Sequence, residues 1–186
     1  MRPLFLAAAA LLATASAHAA EPYAGINLTT PGEANFDING RNVPNDNHPR
    51  ALKLYAGLQL TPGWAVEVGY GAFGHWHAAD PTPGSVYQTR LGAKVAYLAG
   101  RATQPLGESC ALFGKLGVAL NRLDEHDSLD HTAHLTFVRP MAGGGAQWRL
   151  TPHLSATAEY AYYGAHRNEG ARFTQQKAEV GLAWQF

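Results

Sequence analysis

The chain has 186 residues, which suits a single domain, and its 14 basic residues balance its 14 acidic ones. A near-neutral chain gives no indication of nucleic-acid binding, and a single cysteine, Cys110, excludes an internal disulfide. After the N-terminus no apolar run reaches the about 20 residues that a transmembrane helix needs, so a helical membrane protein is also excluded.

The first residues have the pattern of a cleaved secretory signal peptide. Arg2 gives a basic start, residues 4–15 are almost all apolar, and Ala17-His18-Ala19 is a small-residue cleavage site. We therefore expect residues 1–19 to be removed on export and residues 20–186 to form the mature domain. No cysteine stands directly after the cleavage site, so a lipid-modified N-terminus is not expected.

Apolar and polar residues then alternate with a period of two, as they do in half-buried β-strands. The alternating segments are 23–30, 51–60, 64–74, 87–102, 110–122, 135–150, 154–164 and a last one that ends at Phe186. Period two alone would also fit a soluble sandwich, so the connections between the segments have to decide the fold class.

Long polar links alternate strictly with short ones. The long links are 31–50, 75–86, 123–134 and 165–172, and the short ones are 61–63, 104–109 and 151–153. Outer-membrane barrels have long loops outside the cell and short turns in the periplasm. The sequence therefore predicts an all-β fold, an eight-stranded antiparallel up-and-down transmembrane β-barrel in the outer membrane, with both termini on the periplasmic side.

Aromatic residues support this arrangement. Four of them share the apolar parity near the short links and indicate an aromatic girdle at one interface: Trp64, Trp148, Trp184 and Phe186. On the strand at 87–102, the alternation of apolar and polar residues assigns Val95 and Tyr97 to the lipid-facing side. Lys94 is then assigned to the interior.

Charged residues lie in mid-strand on the parity opposite the lipid. The expected interior set is Glu67, Lys94, Lys115, Glu159, Lys177 and Glu179. An eight-stranded barrel is only wide enough for side chains to fill it, so these charges should pair. Lys115 and Glu159 have similar heights, and Gly143 and Gly145 on the strand between them leave room, which predicts a Lys115–Glu159 pair.

Five stretches resemble the OmpA-like family of small outer-membrane barrels, often described as opacity- or porin-like. They are residues 55–64, 67–70, 113–117, 154–163 and 180–186. The resemblance implies that the last strand, with Trp184 and Phe186, is similar to the signal read by the barrel-assembly machinery. It also implies periplasmic chaperones during biogenesis, and outer-membrane lipid and lipopolysaccharide around a monomeric barrel. The chain stops at this strand, so the peptidoglycan-binding domain of some relatives is not expected.

A hydrolase site is one alternative. His153 and Ser155 with Glu159 could form a His/Ser/acid arrangement, and some eight-stranded barrels are lipid A deacylases. His153 lies in a short, periplasmic link, however, whereas lipid A lies in the outer leaflet. A turn histidine beside an interior serine is the favoured interpretation.

A metal site in the long links is another alternative. His75 and His77 have a spacing that can hold a metal on an extended segment, and several carboxylates lie beside His126 and His131. Imidazoles with carboxylates suit zinc or copper, but no closed four-ligand spacing is present. Solvated polar loops are favoured, and no metal or cofactor is assigned.

The sequence thus favours a non-enzymatic structural or surface-interaction protein that presents four extracellular loops to a host or envelope partner. A narrow, porin-like conduit for ions or small solutes is the first alternative. An outer-membrane lipid-modifying enzyme is the second. No residue is assigned to catalysis.

Overall fold

The structure is a computed structural model that describes residues 20–29, 35–38, 41–43, 51–79, 88–127, 132–168 and 171–186. Side chains are described in 20–29, 51–72, 92–124, 134–165 and 174–186. The strands are β1 (Glu21–Thr29), β2 (Asn35–Ile38), β3 (Arg41–Val43), β4 (Ala51–Thr61), β5 (Trp64–Ala79), β6 (Gln88–Pro105), β7 (Cys110–Asp127), β8 (Thr132–Arg149), β9 (Leu154–Asn168) and β10 (Ala171–Gln185). In the described part of the chain, no helix is long and apolar enough to cross a membrane.

Eight of these strands close into an antiparallel barrel. The order is β1-β4-β5-β6-β7-β8-β9-β10, and β10 pairs back onto β1, for example at Ala24 with Trp184 and at Leu28 with Val180. Closure leaves no terminal edge strand in the ring, because each of the eight strands pairs with two neighbours, and this is the condition for a sheet to lie in lipid. The predicted eight-stranded up-and-down fold is confirmed.

The strands are longer than the alternating segments of the sequence. β5 continues to Ala79 and β7 to Asp127, beyond the segments 64–74 and 110–122. The link 31–50 also contains β2 and β3, and β2 pairs with β10 at 171–174. Backbone pairing continues beyond the residues whose side chains alternate. The alternation therefore marks the lipid-facing part of each strand and underestimates the full length of the hairpins.

The outer surface is apolar and the inner surface is polar, as the parity of most segments predicts. Leu116 on β7 and Val180 on β10 point outward, with 73% and 54% of their surface exposed, whereas their neighbours Lys115 and Glu179 are buried. The aromatic residues expected to form a girdle are all exposed beside the short turns: Trp64, Trp148, Trp184 and Phe186.

The predicted orientation of β6 was wrong: the residues expected to face the lipid face the interior, and the reverse. Val95 and Tyr97 are buried in the interior, and Leu98 points outward. Residues 95–100 read Val-Ala-Tyr-Leu-Ala-Gly, so both faces of this stretch are apolar and the alternation does not distinguish them. Packing decides, because the Tyr97 ring covers Gly69 on β5, where a methyl group would overlap it.

Interior tyrosines repeat this arrangement on the neighbouring strands. In each case the ring covers the glycine directly opposite in register: Tyr23 over Gly57, Tyr55 over Gly25 and Tyr97 over Gly69. Large rings thus fill the space that the glycines leave, which packs the β1–β6 side of the barrel and fixes the strand register.

Candidate functional site: a chain of charges inside the barrel

Six charged side chains meet in the interior, each from a different strand. They are Lys53 on β4, Glu67 on β5, Arg101 on β6, Lys115 on β7, Glu159 on β9 and Glu179 on β10. All six are buried. Their strands surround the lumen, so contacts between them cross the barrel as well as linking neighbours.

The six groups form a chain in which positive and negative charges alternate. Arg101 lies 3.8 Å from Glu67, which lies 2.6 Å from the Lys115 ammonium. Lys115 also lies 2.9 Å from Glu159. The same Glu159 oxygen, Oε2, also lies 3.0 Å from the Lys53 ammonium, and Lys53 in turn pairs with Glu179, which ends the chain. Three cations and three anions therefore cancel within the chain.

Neutral side chains donate further hydrogen bonds to two of the three carboxylates, Glu67 and Glu179. Tyr97 and Tyr23 donate their hydroxyls to Glu67 at 2.6 and 2.9 Å. Tyr163 and Asn27 donate to Glu179 at 2.8 and 3.0 Å. Additional hydrogen bonds of this kind offset part of the desolvation cost of a buried ion pair, and these four side chains supply them to Glu67 and Glu179.

The cations also lie over aromatic rings. Arg101 is 4.2 Å from the centre of the Phe113 ring, and the ammonium of Lys115 is 5.2 Å from that of Tyr55. Lys53 is 5.7 Å from the Tyr97 ring. The ring faces attract cations, which partly replaces the hydration that these groups lose.

Glycines on β8 make the central contact geometrically possible. Gly143 lies opposite Lys115 and Gly145 lies opposite Glu159. A Cβ atom at Gly143 would be 3.1 Å from the Glu159 carboxylate, and one at Gly145 would be 2.8 Å from the Phe113 ring. The structure thus places Lys115 and Glu159 in the predicted contact, across a strand with no side chains in the way.

The structure brings most of the predicted interior set together. Glu67, Lys115, Glu159 and Glu179 belong to the chain of charges, and Lys177 is buried on the interior face of β10. Lys94 does not belong: it points outward from β6 and half of its side chain is exposed, because the parity of that strand is reversed.

Sequence reasoning missed Lys53 and Arg101. Lys53 alternates with the apolar residues of β4, so its position on the interior face could have been predicted from the sequence. Arg101 was not identified, because the sequence assigned its side of β6 to the lipid.

The sequence profile of the OmpA-like transmembrane domain matches residues 17–186. The chain belongs to this family. Outer membrane protein A of Klebsiella aerogenes is 24% identical over 158 residues, which cover 83% of this chain and 44% of that protein. The OmpA-like chain therefore spans less than half the length of this relative. Its location is the outer membrane.

Solved structures share the fold. Neisserial surface protein A superimposes with a TM-score of 0.58 at 12% identity, covering 92% of this chain and 99% of that one. The attachment invasion locus protein Ail of Yersinia pestis superimposes with a TM-score of 0.55 at 13% identity, covering 90% and 97%. At these identities the similarity shows the barrel architecture alone.

The OmpA-like barrel does not bring the hydrolase candidates together. His153 bonds to the Gln185 carbonyl at 3.2 Å, and Ser155 accepts a hydrogen bond from Gln147 at 3.0 Å. Glu159 is held by Lys53 and Lys115. Among the described contacts, Ser155 and His153 share no hydrogen bond, which nucleophilic catalysis would need.

The metal candidates lie largely beyond what the structure describes. The side chains of His75, His77, His126 and His131 are outside the described residues. Within the described part of the chain, no group of three or more potential metal ligands occurs.

A cavity of about 590 Å³ opens at the short-turn end of the barrel. Tyr23, Arg101, Gln147 and Ser155 are among its lining residues. The cavity therefore borders on Arg101, the first residue of the chain of charges.

The C-terminal strand closes the barrel through both of its neighbours. Trp184 lies opposite Ala24 on β1 and Leu154 on β9, and its ring stacks on His153 with centroids 5.9 Å apart. The Phe186 N–H donates to the Pro22 carbonyl at 3.0 Å. The role of Trp184 and Phe186 as an assembly signal stays a prediction.

Proposed function

We propose that this OmpA-like barrel is a non-enzymatic structural and surface-interaction protein that holds four loops at the cell surface. The observation that carries the proposal is the alternating chain of charges, which ties six of the eight barrel strands together through the lumen. A barrel filled in this way acts as a rigid scaffold. The long links at one end are the parts of the chain that this scaffold presents to other molecules.

The partners follow from this role. Lipid and lipopolysaccharide surround a monomeric barrel, the assembly machinery and periplasmic chaperones deliver it, and the loops meet a host or envelope surface. Ail is named for attachment and invasion, and one of its structures holds a heparin analogue. A comparable use of the loops by this chain is part of the proposal and goes beyond the shared fold.

Shortened loops separate the scaffold from the surface role. A deletion strain is complemented either with the full chain or with a version whose two longest links, 31–50 and 80–87, are replaced by short Gly-Ser turns. We expect both to restore envelope integrity, measured as resistance to detergent, and only the full chain to restore adhesion to cells or matrix. Equal adhesion by both versions would overturn the surface role. Loss of integrity with a correctly assembled, loop-shortened barrel would overturn the scaffold role.

A narrow conduit is the second candidate, and one observation favours it. The cavity at the short-turn end leads directly to Arg101, so solvent reaches the chain of charges from one side. Single-channel recording in planar bilayers tests it. Under the structural proposal the wild-type barrel gives no resolved current, and a steady current from the wild-type chain would favour the conduit.

A further inference from the structure

A second ionic cluster lies on the outer face of the barrel, where most side chains are apolar. Lys94 on β6 and Arg122 on β7 lie opposite each other in register, as do Asp124 on β7 and His134 on β8. All four belong to the outward parity, and the side chains of Lys94, Arg122 and His134 are each about half exposed. This cluster is separate from the interior chain of charges.

Asp124 organises the cluster. One carboxylate oxygen lies 2.8 Å from the Arg122 Nε and 2.8 Å from the His134 Nδ1, and the other lies 3.2 Å from the Lys94 ammonium. A single anion thus holds two permanent cations and a histidine on three adjacent strands. The contact to Arg122 uses only Nε, so the two terminal nitrogens of the guanidinium fork have no partner among the contacts that the structure describes.

The cluster begins where the apolar band ends. Below it on β7 the outward residues Leu112, Leu116, Val118 and Leu120 are all exposed. From Leu112 to Arg122 the strand advances ten residues, which is about 25 Å along the barrel axis at ~3.3 Å per residue and a tilt of ~40°. That height equals the apolar band of an outer-membrane barrel, about 25 Å. Arg122 and Lys94 therefore lie at the level of the lipid head groups.

The leaflet at this level is the outer one. The cluster is at the end of β6, β7 and β8 away from the short turns, and short turns in outer-membrane barrels lie in the periplasm. Cations are poorly tolerated at the midplane of the lipid face but not at its interfaces, where a phosphate can pair with them. With His134 neutral, the four side chains carry a net charge of one positive unit, and the exposed donors are all cationic.

We propose that Lys94 and Arg122 form a binding site for the phosphate of an anionic outer-leaflet lipid, with its acyl chains lying on the apolar band below. The free fork of Arg122 suits two phosphate oxygens, and the Lys94 ammonium approaches from the neighbouring strand. Asp124 positions both cations in advance, which lowers the ordering cost of binding. Leu120 and Val138, exposed directly beneath, provide the apolar contact that distinguishes a lipid from free phosphate.

Native mass spectrometry of the refolded full chain in detergent tests the site. The barrel is offered equal amounts of bisphosphorylated lipid A and of the same lipid with its phosphates removed, and the ratio of the two bound species is measured. We expect the wild-type chain to prefer the phosphorylated lipid by about tenfold or more. The double variant Lys94→Gln with Arg122→Gln should reduce that preference to about twofold or less.

Matched variants and competitors make the result decisive. Arg149→Gln removes one exposed cation at the opposite, short-turn end and should keep the wild-type preference. Arg122→Lys keeps the charge without the fork and should lose part of it. Retention of the preference by the double variant, with the barrel shown to be folded by its heat-modifiable mobility on a gel, would overturn the proposal. So would an equal loss in Arg149→Gln, or displacement of lipid A by inorganic phosphate at equal concentration.

Discussion

Removing Lys115 and Glu159 together should cost the barrel less stability than the two separate losses add up to. Each residue occupies the middle of the interior chain, with an opposite charge on both sides. Lys115→Met leaves five charges in the chain, with one negative charge in excess. The double change with Glu159→Gln removes the central pair and leaves two neutral ones, Arg101 with Glu67 and Lys53 with Glu179.

The magnitude follows from the distances. Unit charges about 3 Å apart attract by about 5–6 kcal/mol at an effective dielectric constant of ~20. Desolvation offsets much of this, and removal of one partner of a buried pair costs about 3–5 kcal/mol because the other charge stays uncompensated. Each single variant should lose about that much free energy of unfolding. We expect the double variant to lose about 2–3 kcal/mol less than the sum, since contacting residues couple by up to about 3 kcal/mol.

Urea unfolding in phosphatidylcholine vesicles, followed by tryptophan fluorescence, measures the four corners of this cycle. A second cycle that combines Lys115→Met with Glu179→Gln is the control, because Glu159 and Lys53 separate these two residues in the chain. This double variant also removes one positive and one negative charge, but the two residues do not touch, so their coupling energy should be smaller. Additive effects within about 0.5 kcal/mol in the first cycle would refute the pairing. Equal coupling in both cycles would mean that the net charge of the chain, and not the direct contact, sets the stability.

Three further outcomes are expected. Leu116→Arg should lower the free energy of unfolding in vesicles by about 2–4 kcal/mol because the side chain points into the lipid, and unchanged stability would show that β7 faces the other way. Deletion of Phe186 should reduce the amount of assembled barrel in the outer membrane, measured by heat-modifiable mobility, since its N–H ties the C-terminus to β1; normal levels would remove the assembly role. Protease added to intact cells should cut within 31–50 and spare 106–109, and the reverse pattern would invert the topology.

The strand pattern could be predicted because lipid imposes a strict rule on one face. Wherever an apolar residue alternates with a polar one, as on β7 and β10, parity fixes which side chains point inward. The rule fails on β6, where small and apolar residues occupy both faces between 95 and 100. There the tyrosine that covers Gly69 determines the orientation, and cross-strand packing of this kind is visible only when the register of β5 and β6 is known.

The hairpin ends were harder to predict for a different reason. Beyond the apolar band water surrounds both faces, so the sequence has no reason to alternate while the backbone ladder continues. The β8–β9 ladder differs, because the pairing ends at Ala142 and Tyr162 although both strands continue. Pro140 has no N–H to donate, and the carbonyl of Ala165 accepts a hydrogen bond from the Arg139 side chain instead.

The contacts of the interior charges depend on how the barrel closes. Lys115 and Glu159 could be paired from the sequence because their strands are separated only by β8, and counting from the turns gave their heights. Lys53 meets Glu159 from the far side of the lumen, so their contact depends on the stagger between the first and last strands. That stagger is set when β10 pairs with β1, and no local pattern in either strand encodes it. In space the charges run from Arg101 through Glu67 and Lys115 to Glu179, an order unrelated to their order along the chain. Alternation of sign therefore appears only after closure, and each lysine of the chain gains both of its carboxylates when the lumen is complete.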